Sequence, residues 1–340
     1  MKAIVQDKYG SPTDVLELRD IDKPVLGDDE VLVRVHAASV HPDVWHVVRG
    51  LPYVLRLMGS GLLRPKNRVS GTDLAGCVES VGKDVSRFGP GDAVFGESVR
   101  GYQWHNGGAF AEYVSVAEDA LALKPENVSF EQAAAVPTSG LIALNNLPDE
   151  KGKGRLRTGQ NVLVNGAGGG VGAFAVQLAK SYGATVTGVD STGKLEMIRS
   201  LGADEVIDYT RQDFTRSGER YDLIFDVTGN HAFSECRRAL GPEGMYVLIG
   251  HDRFGRGAGR WLGSVPRVLK LVVLSPFVSH LPTPSFSMPS KKDSMAFLKE
   301  LLEARKLTPV IGRTYSLAEV PEAIRYLEEG HAQVKVFITV

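Results

Sequence analysis

The chain has 340 residues, a formal net charge of −1, and 43% hydrophobic residues. That length allows two domains, each with its own core, and the balanced charge gives no general attraction to nucleic acid or membranes. Two cysteines, Cys77 and Cys236, exclude a disulfide framework and a four-cysteine zinc lobe, and point to a reducing, cytoplasmic setting.

The N-terminal segment Met1–Gln6 reads as a strand rather than a signal peptide, and no uninterrupted apolar run reaches the ~18 residues of a spanning helix. Up to residue 125 the texture is short strands broken by Gly and Pro. Val31-Leu32-Val33-Arg34-Val35, Ala93-Val94-Phe95 and Ala109–Val116 are separated by turns such as Phe88-Gly89-Pro90-Gly91-Asp92, as in a rolled antiparallel β domain. Within it His41, Trp45, His46 and Tyr53 cluster along 40–54. Two aromatic rings and two imidazoles there read either as a flat slot for a planar substrate or as packing of the barrel.

Residues 161–172, Asn-Val-Leu-Val-Asn-Gly-Ala-Gly-Gly-Gly-Val-Gly, join an apolar strand to a small-residue helix through a glycine turn. This is the order in which a dinucleotide pyrophosphate is bound: glycine lets the backbone come close, and the helix N-terminus offers unpaired N–H groups. As A-x-G-x-x-G, the key positions are Ala167, Gly169 and Gly172, with Gly168, Gly170 and Val171 completing the loop. A second apolar strand, Thr185–Val189, ends at Asp190, about 20 residues on, where a ribose hydroxyl is expected. A helix around 194–201 and strands at 205–208, 221–227 and 245–249 continue the βα alternation of a parallel sheet covered on both faces.

Beyond Gly250, the segment 251–293 is rich in Pro and carries basic residues at Arg253, Arg256, Arg260, Arg267 and Lys270. It reads as a lid or binding loop, or as a cover for a hydrophobic edge or a partner subunit. Helices at 294–306 and 317–329 precede a last strand, 334–340, expected to return to the first domain.

Several motifs together resemble the medium-chain dehydrogenase/reductase superfamily, in its zinc-free quinone oxidoreductase-like branch. They are Gly71-Thr72-Asp73-Leu74-Ala75-Gly76, Val78-Glu79-Ser80-Val81-Gly82, 88–96, Ala109-Phe110-Ala111-Glu112-Tyr113, Ala133-Ala134-Ala135-Val136-Pro137, the glycine loop, and 201–209. The resemblance implies an α/β fold in which a Rossmann doubly wound parallel sheet is inserted in a GroES-like β-barrel catalytic domain. The expected division is 1–125, 126–290 and 291–340, with a cleft between domains and a homodimer as the assembly. The implied activity is NAD(P)H-dependent hydride transfer to a quinone, enone or related carbonyl.

In zinc-dependent relatives a metal polarises the substrate oxygen. Aligned with that pattern the chain offers His41, Thr72-Asp73 and Ser139, without either thiolate, so no metal is expected. Structural roles, a turn hydrogen bond for His41 and capping of backbone amides for Asp73, are expected instead. His41, Trp45 and Tyr53 then become the candidate catalytic groups. For the cofactor, the resemblance adds Thr138, Thr228, Gly250 and Lys335 to the loop, although Val334 replaces the usual glycine before Lys335. Asp190 favours NAD(H), whereas Ser191, Lys194 and Tyr209 suit the 2′-phosphate of NADP(H), which the reading prefers. The alternatives are a zinc-dependent alcohol dehydrogenase or a non-catalytic nucleotide-binding protein on the same fold.

Overall fold

The computed structural model describes residues 1–99, 105–147, 156–250, 257–283, 290–330 and 335–340. Among these, the strands in chain order are β1 (Lys2–Gln6), β2 (Leu16–Asp20), β3 (Glu30–Val40), β4 (Asp73–Val81), β5 (Ala93–Glu97), β6 (Tyr113–Ala117), β7 (Leu121–Leu123), β8 (Asn161–Asn165), β9 (Thr185–Asp190), β10 (Glu205–Asp208), β11 (Tyr221–Asp226), β12 (Leu240–Leu248), β13 (Ile311–Ser316) and β14 (Lys335–Thr339). They divide between two compact units: Met1–Leu141 with Ser290–Arg305 and Pro309–Val340, and Ile142–Pro289 with Lys306–Thr308. The helix Phe130–Ala134, with a Ser129/Gln132 capping box, falls in the first unit, which therefore extends past residue 125.

In the first unit, β3 is the organising strand. It pairs antiparallel with β4, β6 and β14, and the sheet continues through β5 to β7 on one side and β13 on the other. Val31, Val33, Val35, Ala38 and Val40 of β3 join Leu74, Val94, Val336 and Ile338 in one apolar cluster. The terminal strand β14 is thus part of this core, with Phe337 and Ile338 fully buried.

The second unit is built on a parallel sheet in the order β10-β9-β8-β11-β12. Counted within the unit this is 3-2-1-4-5, the doubly wound order. Its central strands are near-continuous apolar runs, such as Val162-Leu163-Val164, because helices cover both faces. The order reverses between β8 and β11, so the carboxyl ends of these two strands form the crevice where such sheets bind ligands.

Cys236 lies in the core of the second unit, where burial, aided by nearby Asp226, pushes its thiol up to about 12. Cys77, on β4, is partly exposed. A thiol-specific reagent at mildly alkaline pH should modify Cys77 rapidly in the native protein and leave Cys236 untouched until denaturant is added. Mass spectrometry of the labelled peptides checks this, and equal native labelling of both would contradict the packing.

Candidate active site and dinucleotide crevice

At the carboxyl end of β8 the chain turns at Gly166, whose φ of 87° favours glycine. Its N–H and that of Ala167 donate to the Val189 carbonyl at 2.9 and 3.1 Å, and Gly169 N–H closes the turn onto the Gly166 carbonyl at 3.1 Å. The helix Gly170–Ser181 starts there, with Gly169 as a cap that supplies no side-chain acceptor. Its first-turn amides are therefore open to an anion. A Cβ at Gly172 would strike the Gly166 carbonyl, so Gly172 is required for helix and turn to approach. A Cβ at Gly169 meets only that carbonyl oxygen at 3.4 Å, an ordinary contact. Gly166, not among the positions read from the motif, carries the left-handed conformation, while Gly169 is the extended cap of the helix.

Across the crevice, Thr228 follows β11 and its hydroxyl fills the space beside Gly166, while Gly250 presses on the Val227 carbonyl, where no Cβ fits. Sequence reasoning missed the support beneath them. Buried Asp226 accepts from Asn165 Nδ2 at 2.7 Å, Gly229 N–H at 2.8 Å and the Tyr246 hydroxyl at 2.7 Å. Arg267 donates to the Tyr246 oxygen at 3.0 Å, to the His231 carbonyl at 2.6 Å and to the Gly229 carbonyl. Burial, with Asp226 close by, raises the Tyr246 hydroxyl well above the tyrosine range, so it acts as a donor. Polar residues ending adjacent strands, Asn165 and Asp226, were the available signal. Arg267 had none, since it reaches in from the 251–293 segment.

Asp190 ends β9 and faces the turn. One carboxylate oxygen accepts from Gly168 N–H at 2.8 Å and the other from Ser191 N–H at 2.8 Å, with Lys194 Nζ 3.8 Å away. The two residues that the sequence sets in opposition are thus ion-paired with each other. Tyr209, exposed, donates its N–H to the Asp190 carbonyl at 3.2 Å, which brings the four candidate ribose-side residues together.

The remaining candidates belong to the first unit. His41 caps the helix Pro42–Arg49, its Nδ1 accepting from Asp43 N–H at 3.3 Å and lying 3.3 Å from the Asp43 carboxylate. Burial opposes ionisation of Asp43, yet His41, His46 and Lys335 hold it below its ordinary value. Trp45 is buried in the apolar cluster, its ring 3.6 Å from that of His46, and Tyr53 is half-buried with the Arg56 guanidinium over its face.

Thr138 and Lys335 meet in an adjoining buried network. Register places Ser39, Asp73 and Glu97 side by side on β3, β4 and β5. Asp73 accepts from Lys335 Nζ at 2.9 Å, Ser39 Oγ at 3.0 Å, Thr138 N–H at 3.0 Å and the Thr138 hydroxyl. Glu97 pairs with Lys291 at 2.9 Å; burial and the neighbouring Asp73 raise its carboxyl above the usual range. These residues do not fit a catalytic zinc. The Asp73 lone pairs are committed and an ammonium already neutralises it, and the aligned positions Thr72 and Ser139 supply no thiolate beside His41. Among the described residues no group of three or more His, Cys, Asp or Glu could hold a metal ion.

A glycine turn at the switch point of a doubly wound sheet, joined to an antiparallel β unit, defines an oxidoreductase that uses a nicotinamide dinucleotide. Family models agree: an alcohol dehydrogenase GroES-like domain matches residues 27–126, and a zinc-binding dehydrogenase matches 201–338. The chain is 34% identical to the 2-methylene-furan-3-one reductase of Solanum lycopersicum, over 99% of this chain and 79% of that one. It is 33% identical to the chloroplastic NADPH-dependent alkenal/one oxidoreductase of Arabidopsis thaliana, with the same coverage. The quinone oxidoreductase structure from Coxiella burnetii superposes with a TM-score of 0.82 at 29% identity, covering 100% of this chain and 99% of that one. The chain belongs to the medium-chain dehydrogenase/reductase superfamily and is quinone oxidoreductase-like.

Two predictions follow from this geometry. Lys335→Met leaves the Asp73 carboxylate buried without its cation and should cost about 3–5 kcal/mol, with Asp73→Asn in the same chain recovering part of it. Chemical denaturation of both variants checks this; a cost within experimental error for Lys335→Met would contradict it. In the crevice, Lys194→Ala should weaken NADPH binding roughly tenfold while sparing NADH. Because Lys194 is paired with Asp190, Asp190→Ala should lose Gly168 anchoring as well as charge, and the effects of the two changes should not add. Dissociation constants for both cofactors across the four proteins of the cycle measure the coupling, and strict additivity would argue against the pair.

Proposed function

We propose that the protein is an NADPH-preferring reductase of quinones, enones and related carbonyls that works without zinc. The observation that carries this reading is the open first turn of helix Gly170–Ser181 at the switch point, flanked by Asp190 with its charge already compensated. A free carboxylate would repel a 2′-phosphate. Here Asp190 is engaged by two backbone N–H groups and Lys194, which reduces that repulsion. Ser191, Lys194 and Tyr209 would then hold the 2′-phosphate, and Gly168 to Gly172 the pyrophosphate. The names of the tomato and Arabidopsis relatives, reductases of a furanone and of alkenals and enones, support the substrate class.

When bound, the nicotinamide supplies a hydride to the conjugated acceptor. The chain's own task is to stabilise the oxygen that gains charge. His41 is the proposed donor. With Nδ1 accepting the Asp43 N–H, the ring proton belongs on Nε2, which is the atom left to donate to that oxygen. Trp45 and the Asp73–Lys335 network hold the surrounding framework. The two free cysteines support a reducing compartment, and a homodimer remains the expected assembly.

Gly169→Val should fold normally yet weaken NADPH binding at least about tenfold, because the side chain projects where the pyrophosphate lies. His41→Gln should lower turnover about a hundredfold with cofactor affinity unchanged. Fluorescence titration and steady-state rates with a panel of quinones and enones test both. Unchanged NADPH affinity in a folded Gly169→Val protein would remove the assignment of the crevice, and absence of turnover by the wild type would remove the catalytic one.

A further inference from the structure

The helix Val265–Leu274 is apolar on both of its faces, and the protein covers one. Arg267, Leu271 and Leu274, spaced i, i+4, i+7, turn inward, the two leucines onto the core of the second unit and Arg267 into the Asp226–Tyr246 network. Val268, Leu269, Val272 and Val273 form the opposite stripe and are exposed, Leu269 to 57% and Val273 to 66%. At the two ends stand Trp261, 71% exposed, and Phe277, 84% exposed. A helix with apolar residues all round implies a second apolar environment, and a continuous patch of this kind marks an interaction site. At ten residues the helix is too short to span a bilayer, and among the described residues no helix is long and apolar enough to do so.

Charge decides what covers it. From Arg253 to Ser290 the sequence contains no Asp or Glu but five Lys and Arg, in a chain whose totals are 39 basic and 40 acidic residues. Lys270 stands on the same helix and Arg260 immediately precedes Trp261, and both are exposed. A two-fold contact between copies of the chain would set these like charges against each other. An anionic surface with an apolar interior matches both the stripe and these charges, and aromatic residues at each end suit the boundary between headgroups and acyl chains. The first unit carries a segment of the same chemistry. Between Asp43 and Asp73 there are five Lys and Arg and no acid, with Leu57 and Leu63 strongly exposed.

We propose that the helix Val265–Leu274, with Trp261 and Phe277, is a membrane-docking face that lies flat on anionic lipid, its valines and leucine in the acyl boundary and Arg260 and Lys270 on the headgroups. The net charge of the whole chain conceals this local asymmetry. Docking there would bring the enzyme to the phase in which apolar quinones partition, a consequence that rests on the proposed function. The docking itself does not.

The test is flotation of the full-length protein, without substrate, with phosphatidylcholine vesicles containing roughly one third phosphatidylglycerol, and with phosphatidylcholine alone. The wild type should partition onto the anionic vesicles and be released by salt. Leu269→Ser with Val273→Ser, and separately Arg260→Glu with Lys270→Glu, should each reduce the bound fraction at least about tenfold. Their NADPH affinity should stay at the wild-type value, which shows that the variants are folded. No partitioning by the wild type, or undiminished partitioning of either variant, would overturn the proposal. So would sedimentation velocity showing that the serine variant has dissociated a wild-type oligomer, since the stripe would then be a subunit interface.

Discussion

The close approach of Gly172 to the Gly166 carbonyl is the constraint on which the ligand-binding half of this molecule depends. With any side chain at Gly172 the helix Gly170–Ser181 could not begin where it does, and its first-turn amides would not face the crevice between β8 and β11. The turn has little side-chain chemistry of its own. Its neighbours hold it: Val189 through its carbonyl, Asp190 through Gly168, and Thr228 against Gly166. Beneath lies Asp226, saturated by Asn165, Gly229 and Tyr246. Anion binding by backbone groups is strong only where the backbone cannot relax, and this second layer of hydrogen bonds prevents relaxation.

The first unit solves a different problem. Two carboxylates, Asp73 and Glu97, lie side by side on adjacent strands with almost no access to water. Each is matched by a lysine, Lys335 from the last strand and Lys291 from the helix Lys291–Glu303, and Thr138 bridges them. Such pairs contribute little net stability against an apolar alternative, but breaking one is costly. The network therefore fixes where β14 and the Lys291 helix attach, from sequence positions far from β4 and β5. It also takes up the carboxylate that zinc-dependent enzymes of this superfamily would offer to a metal.

Much of this was legible in the chain. The glycine turn, the parallel strands and Asp190 announce themselves through local order, because strand, turn and helix are contiguous and each has its own periodicity. What was illegible is non-local. Gly166 lies one residue before the motif as read, and only the φ it adopts distinguishes it from Gly168. The Asp190–Lys194 contact reverses the sense of a pair that the sequence presents as competitors, since spacing along a chain does not state which way two side chains turn. Trp45 was equally compatible with a slot and with a core, and it is buried in the core. Lys335 and Asp73 are 262 residues apart, and nothing in the composition of either segment indicates that they meet. The helix at 265–274 reads as apolar in sequence, but which of its faces the protein covers is a property of the packing.

The most direct measurement of the central claim is hydrogen–deuterium exchange of the full-length protein with and without NADPH. Binding at the turn predicts slowed exchange at the amides of Gly168 to Gly172 and of Ser191 to Lys194, with the carboxyl ends of β8 and β11 protected in both states. Protection confined to other segments, with the amides of 168–172 exchanging as fast as in the free protein, would contradict it.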